Sequence, residues 1–106
     1  MKIITNLKPP YYAVIFTTII SENLHGYKET SEKMEALAKL QKGYLGIDSA
    51  RNEIGITVSY WETLEDIVAW KNNVDHTEAR NLGREKWYKT YQLRICKVER
   101  EYGFER

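Results

Sequence analysis

The stretch Tyr11–Ile20, Tyr-Tyr-Ala-Val-Ile-Phe-Thr-Thr-Ile-Ile, restricts the possible folds more than any other part of the chain. Its β-branched and aromatic residues favour a strand, and Pro9-Pro10 just before it blocks helix and keeps the chain extended. On such a strand Tyr12, Val14 and Phe16 point one way, while Ala13, Ile15 and Ile19 point the other. A sheet with one wet face alternates apolar and polar residues, so apolar groups on both parities call for cover on both faces. A chain of 106 residues can cover one face with its own helices. The simplest cover for the second face is another subunit, so a homodimer is expected.

The other elements follow from local pattern. Ser21 or Asn23 is placed to cap a helix over about residues 24–42. Leu24, Tyr27, Ser31, Met34, Leu37, Ala38 and Gln41 repeat at three and four and form its inward stripe. The opposite face is charged, with Glu29–Lys33 and Glu35–Lys39 at pairing distance along the helix. Gly43 stands where a left-handed terminator is wanted. Tyr44–Arg51 and Gly55–Trp61 read as two strands joined by a short turn at Asn52-Glu53-Ile54, an antiparallel hairpin, and Gly46 within the first suggests a bulge.

Thr63 caps a second helix, with Asp66 three residues on. Leu64, Ile67, Val68 and Val74 gather on one side of it, with Trp70 at the border. Asp75 is expected to cap a third helix beginning at about His76, whose spacing puts His76, Ala79, Arg80, Gly83 and Trp87 on one face. From Thr90, Tyr91, Leu93 and Ile95 alternate with Gln92, Arg94 and Cys96 as a last strand, with a bulge expected near Cys96-Lys97 and a strand-like continuation through residues 99–106. The order β-α-β-β-α-(α)-β is that of a ferredoxin-like α+β domain, an antiparallel sheet with helices on one face. Residues 1–9 form an arm before a single domain over residues 10–106.

Several function classes are disfavoured by composition. A net charge of +1 gives no basic excess for nucleic acid or an anionic membrane. The N-terminus has no signal-peptide pattern, and no apolar window approaches a membrane span, so a cytoplasmic protein is expected. A single cysteine, Cys96, makes no internal disulfide and reads as an inert packed thiol. Two histidines and one cysteine argue against a protein-only metal centre, and no metal ligand set is assigned. There is no phosphate-binding loop and no nucleophile elbow.

The groups able to do chemistry cluster after residue 59. His76 is the foremost acid–base candidate, because imidazole titrates near neutrality and the first turn of a helix lowers its pKa. A hydrogen-bonded structural histidine is the competing reading; His25 reads as incidental. Trp61, Trp70 and Trp87, with Tyr60, Tyr88 and Tyr91, supply ring faces and donors for a flat ligand, or simply core. Arg80 and Arg84 are surface ion-pair partners or substrate clamps.

Taken together, Tyr11–Phe16, Gly43-Tyr44-Leu45-Gly46, Thr57–Trp61, Ala69-Trp70, His76 and Gly83–Tyr88 resemble the antibiotic biosynthesis monooxygenase (ABM) domain family, and within it the small stand-alone bacterial members. The resemblance spans about residues 10–104. It implies a dimeric α+β barrel of two facing sheets and a cofactor-free monooxygenase acting on a small aromatic, phenolic or quinol-type compound held between sheet and helices. In that setting His76 is the base, Tyr60 or Tyr91 a donor, and Trp70 and Trp87 walls that stack on the ligand. Another branch of the resemblance binds or degrades heme, with an Asn on the first strand and an axial His ten residues after the helical Trp. Here Phe16-Thr17 and Arg80 stand at those places, which weakens the heme reading. A dimer that binds a small molecule without catalysis is the remaining alternative.

Overall fold

The computed structural model describes residues 2–106; Met1 and the side chain of Val74 lie outside the described residues, and with them the place of Val74 in an apolar cluster. The elements are β1 (Tyr11–Ile20), α1 (Tyr27–Ala38), β2 (Tyr44–Arg51), β3 (Gly55–Trp61), α2 (Leu64–Lys71), α3 (Val74–Leu82), a π-helical turn (Gly83–Trp87) and β4 (Tyr88–Val98). The strands form one antiparallel sheet in the order β2-β3-β1-β4, the ferredoxin-like arrangement expected from the element order. The strand that most constrained the fold therefore lies inside the sheet, with a neighbour on each side.

Directly paired residues of antiparallel strands share a face. Tyr12, Val14, Phe16 and Thr18 of β1 therefore lie with Trp61, Ser59 and Thr57 of β3 and with Ile95, Leu93 and Tyr91 of β4. This is the helix side, because Trp61 stacks on Trp70 of α2 and Phe16 meets Tyr88, which in turn meets Tyr27 of α1. Ala13, Ile15 and Thr17 lie on the other side with Tyr60, Val58 and Ile56 and with Cys96, Arg94 and Gln92. The most buried apolar residues are Tyr11, Ala13, Ala38, Trp61, Ile67 and Trp87, and Trp61 is wholly enclosed.

Where local expectation and structure differ, a physical reason is visible. Helix α1 begins at Tyr27, after Gly26 in the left-handed region at φ 79°, and not near residue 24. Ser21 and Asn23 make a local turn instead of a cap: the Asn23 amide donates to Ser21 Oγ and the His25 amide to Asn23 Oδ1. Of the two expected helical ion pairs, only Glu35–Lys39 approaches, at 3.9 Å. Helix α3 is capped by Asn73 and not Asp75; Asn73 Oδ1 accepts from the amides of Asp75 and His76 at 3.0 and 3.2 Å. The last strand starts at Tyr88, its irregularity falls opposite Ile19/Ile20, and pairing runs unbroken past Cys96 to Val98. Residues 99–106 are irregular and not a strand. Cys96 is exposed and not packed, because it lies on β4, an edge strand of the sheet. The cap at Thr63 and the bulge at Gly46 are as expected. At Gly46, φ 152° and the Ile4 side chain, which would stand 2.6 Å from a Cβ, leave room for glycine alone.

Candidate functional site

The sequence-predicted residues separate into three groups. The first is a stack running from the sheet into the helices. The Trp61 and Trp70 ring centroids are 6.3 Å apart at an interplanar angle of 26°, and Trp70 and His76 are 4.4 Å apart at 11°. Each member is set by its own element. Trp61 ends β3 with its indole N–H donating to Ser59 Oγ at 2.9 Å, Trp70 lies in the last turn of α2, and the Asn73 cap fixes the first turn of α3 that carries His76.

His76 Nδ1 lies 3.0 Å from the Trp70 carbonyl. A carbonyl only accepts, so Nδ1 carries the proton and donates, and in the neutral ring Nε2 is left as the basic atom. Burial lowers the His76 pKa from its ordinary value of 6.5, the nearby Arg80 charge adds to that, and the bond to the Trp70 carbonyl partly opposes it. The ring is thus neutral at pH 7 and able to take a proton. Arg80 Nη1 donates to the Lys71 carbonyl at 3.3 Å, closing the end of α2, while its Nε is buried without a partner among the described residues. A guanidinium is no iron ligand, so the position at which the heme-binding branch places its axial histidine is filled here by a group of another kind.

The second group lies toward the other end of the same face. Arg84 Nε donates to Tyr91 Oη at 2.7 Å, with its guanidinium 6.0 Å from the ring centre. Tyr88 and Tyr91 meet edge to face, and Phe16 touches both. Burial raises the Tyr88 pKa above its ordinary value, so its hydroxyl stays protonated. Trp87 is buried beneath the start of α1, donating to the His25 carbonyl at 2.9 Å and packing on Tyr27. It is core in this structure, as is Trp61. The π-helical turn breaks the three-and-four spacing that would have aligned Trp87 with His76 and Arg80. Tyr12 pairs with Trp61 and Thr18 with Tyr91. Six residue steps along β1 therefore separate the two groups, about 20 Å along the sheet.

Tyr60 forms the third group alone, and here the expected common cleft is corrected. It points to the face without helices, where its hydroxyl donates to Asp48 Oδ2 at 2.9 Å and its ring meets Tyr11. Neighbouring strand residues face opposite ways, so Tyr60 and Trp61 do not look into one space. Asp48, which also accepts from the Ile4 amide at 3.0 Å, and Glu101, which accepts from Tyr11 Oη at 2.7 Å, were not singled out in the sequence. Neither was Asn73, although its spacing to His76 is that of a helix cap.

Between the first two groups the helix side of β4 is open: Leu93 is 46% and Ile95 50% exposed. Among the described residues, one cavity of about 130 Å³ is bounded by Thr17, Thr18, Ile19, Ile54, Thr90 and Tyr91, and one of about 300 Å³ lies under the N-terminal arm against Leu7, Tyr11 and Leu45. Neither is lined by His76, Trp70 or Arg80. Among the described residues no group of three or more His, Cys, Asp or Glu side chains is placed to hold a metal ion, and no helix is long and apolar enough to cross a membrane.

Comparison with known proteins gives both a relative and a fold. The chain is 46% identical over 100 residues to the uncharacterised protein YqjZ of Bacillus subtilis, covering 92% of this chain and 88% of YqjZ. Among solved structures it is similar to Rv0793 of Mycobacterium tuberculosis, with a TM-score of 0.76, 9% identity, and 88% of this chain and 99% of that one covered. It is also similar to SnoaB of Streptomyces nogalater, a cofactor-independent oxygenase, with a TM-score of 0.73, 7% identity, and coverage of 87% and 96%. A Nitrosomonas europaea protein assigned to the antibiotic biosynthesis monooxygenases gives a TM-score of 0.74 at 12% identity, covering 89% and 95%. No protein-family model matches the chain.

Proposed function

The chain belongs to the family of Bacillus subtilis YqjZ and has the fold of the ABM-type proteins, and from that premise we propose that it is a cofactor-independent monooxygenase acting on a small phenolic, quinol-type or anthrone-like compound. The observation that carries this reading is His76: a neutral imidazole with Nδ1 tied to a backbone carbonyl and a ring face stacked on Trp70. The substrate lies on the helix side of the sheet, over the open part of β4. His76 Nε2 removes a proton from its hydroxyl or activated methylene. The resulting anion reduces O2, and an oxygen atom bonds to the ring carbon. Loss of water from the hydroperoxide leaves a carbonyl. One atom of O2 stays in the product and the other leaves as water with two substrate hydrogens, so the substrate supplies all the electrons. The protein contributes proton transfer and positioning. The exposed hydrophobic residues Ile19 and Ile56, on the face without helices, support a homodimer closed through that face.

The test is oxygen uptake with anthrone in chelator-treated buffer, with the product identified by mass after reaction under 18O2. One labelled oxygen in the new carbonyl is expected. Uptake no faster than the spontaneous reaction would rule out the oxygenase reading and leave the non-catalytic binding dimer.

A further inference from the structure

Arg51 takes an unusual path. It stands at the end of β2 on the helix side, opposite Gly55, and its guanidinium crosses above that glycine to donate to the hydroxyl of Thr18 on β1. A Cβ at residue 55 would overlap the guanidinium, so the glycine is what opens the lane. Thr18 is buried, 2% exposed, and its partner on β4 is Tyr91, the residue held by Arg84. The Arg51 charge also acts on the Tyr88 hydroxyl. Arg84 is thus bonded to Tyr91 and Arg51 to Thr18, the β1 partner of Tyr91, so two guanidiniums are each held by a hydroxyl at this end of the face. Among the described residues the only ion pair is Lys39–Glu35, so neither arginine is paired with a carboxylate.

A guanidinium presents a planar fork of donors matched to a carboxylate, and the Tyr88 hydroxyl, kept protonated by burial, adds a donor of the same sense. Nothing in this cluster accepts an anion's role from within the chain. We propose that the Arg51–Arg84 end of the helix face is a carboxylate-binding site, taking the acid group of an aromatic acid. Phe16 and the exposed Leu93, which are paired with each other two residues along from Thr18 and Tyr91, receive the ring nearest that group. This rests on the reading that the substrate lies on the helix side, and the distance along the sheet to the His76 stack narrows the substrate class to elongated, polycyclic compounds whose carboxylate is at the end far from the atom that is deprotonated.

The site is tested by binding and not by turnover, with 2-naphthoate, naphthalene-2-carboxamide and inorganic phosphate titrated into the full chain by calorimetry. Naphthoate is expected to bind at least tenfold more tightly than the carboxamide, and phosphate weakly. Arg84→Gln and Arg51→Gln should each lower naphthoate affinity about tenfold without changing carboxamide binding. Gly55→Ala, which displaces the Arg51 guanidinium while keeping its charge, should reproduce the Arg51→Gln loss. Unfolding midpoints confirm that each variant is folded, and either arginine variant suffices if Gly55→Ala does not fold. Equal affinity for acid and amide, or a preference untouched by both arginine substitutions, overturns the proposal. A protein that prefers the acid yet consumes no oxygen refutes the oxygenase reading alone.

Discussion

The two faces of the sheet are built from the same four strands, yet they are closed by different chemistry. On the helix side, rings do the packing: Trp61, Trp70 and His76 stack in sequence, and Phe16, Tyr27, Tyr88 and Tyr91 meet edge to face or tilted. On the other side the described residues place no helix. The chain's two ends cross it instead, the arm through Ile4 on Asp48 and the tail through Glu101 on Tyr11, and Ile19 and Ile56 stay 40% and 46% exposed. Burial of rings is worth several kcal/mol per residue, whereas a partly solvated hydrogen bond nets about 1 kcal/mol. The helix face is thus packed around Trp61 and Trp87 and open over Leu93 and Ile95, while the other face is packed around Tyr11 and Ala13, tied down by the chain ends, and open at Ile19 and Ile56.

Removing one side chain from each face gives the largest contrast. Trp61→Ala empties a fully enclosed space and is expected to cost about 3–5 kcal/mol in urea unfolding, against about 1 kcal/mol for Tyr60→Phe one residue earlier. Similar losses for the two would break the comparison. Ile56→Glu, on the open face, should abolish the proposed homodimer in light scattering while leaving the monomer folded, because a charge is unwelcome only if that face is covered. A mass unchanged by the substitution would place the interface elsewhere.

The smaller effects are those of pH: tyrosines on both faces give an alkaline limb, and His76 adds an acid limb that belongs to the helix face. On the open face, burial and the bond to Asp48 push the Tyr60 hydroxyl up to about 12, and burial and Glu101 do the same for Tyr11. Stability from these tyrosines is fully present below their ordinary value of 10.0 and is lost as pH rises toward 12. Asp48→Asn should bring the Tyr60 titration, read by absorbance near 295 nm, back toward 10.0. On the helix face the folded pKa of His76 is lowered, so its contribution is fully present above 6.5 and is lost as pH falls below that value. His76→Gln should flatten this acid limb and leave the alkaline one alone.

Much of this was legible in the residues. The element order correctly predicted the ferredoxin-like sheet with β1 inside it, and the Thr63 cap and the Gly46 bulge follow from local chemistry within a few residues. Features set by long-range packing were not legible. The start of α1 depends on Gly26 adopting φ 79°, and the π-helical turn at Gly83–Trp87 rotates Trp87 away from the face that simple spacing assigns it. Parity alone says that Tyr60 and Trp61 point apart; only the docking of Trp70 decides which one meets the helices. In the same way Arg51 reads as the polar end of a strand until Gly55 and Thr18 are seen beneath it.

The proposed proton transfer belongs to His76 on the helix face, with no part for Tyr60 on the other. Initial rates of anthrone-dependent oxygen uptake for His76→Ala and Tyr60→Phe, measured beside the unaltered protein, separate the two. The expected result is a kcat at least about a hundredfold lower for His76→Ala, the usual scale for loss of a general base, and a change of less than about twofold for Tyr60→Phe. A rate kept without His76, or lost with the Tyr60 hydroxyl, would rule this assignment out.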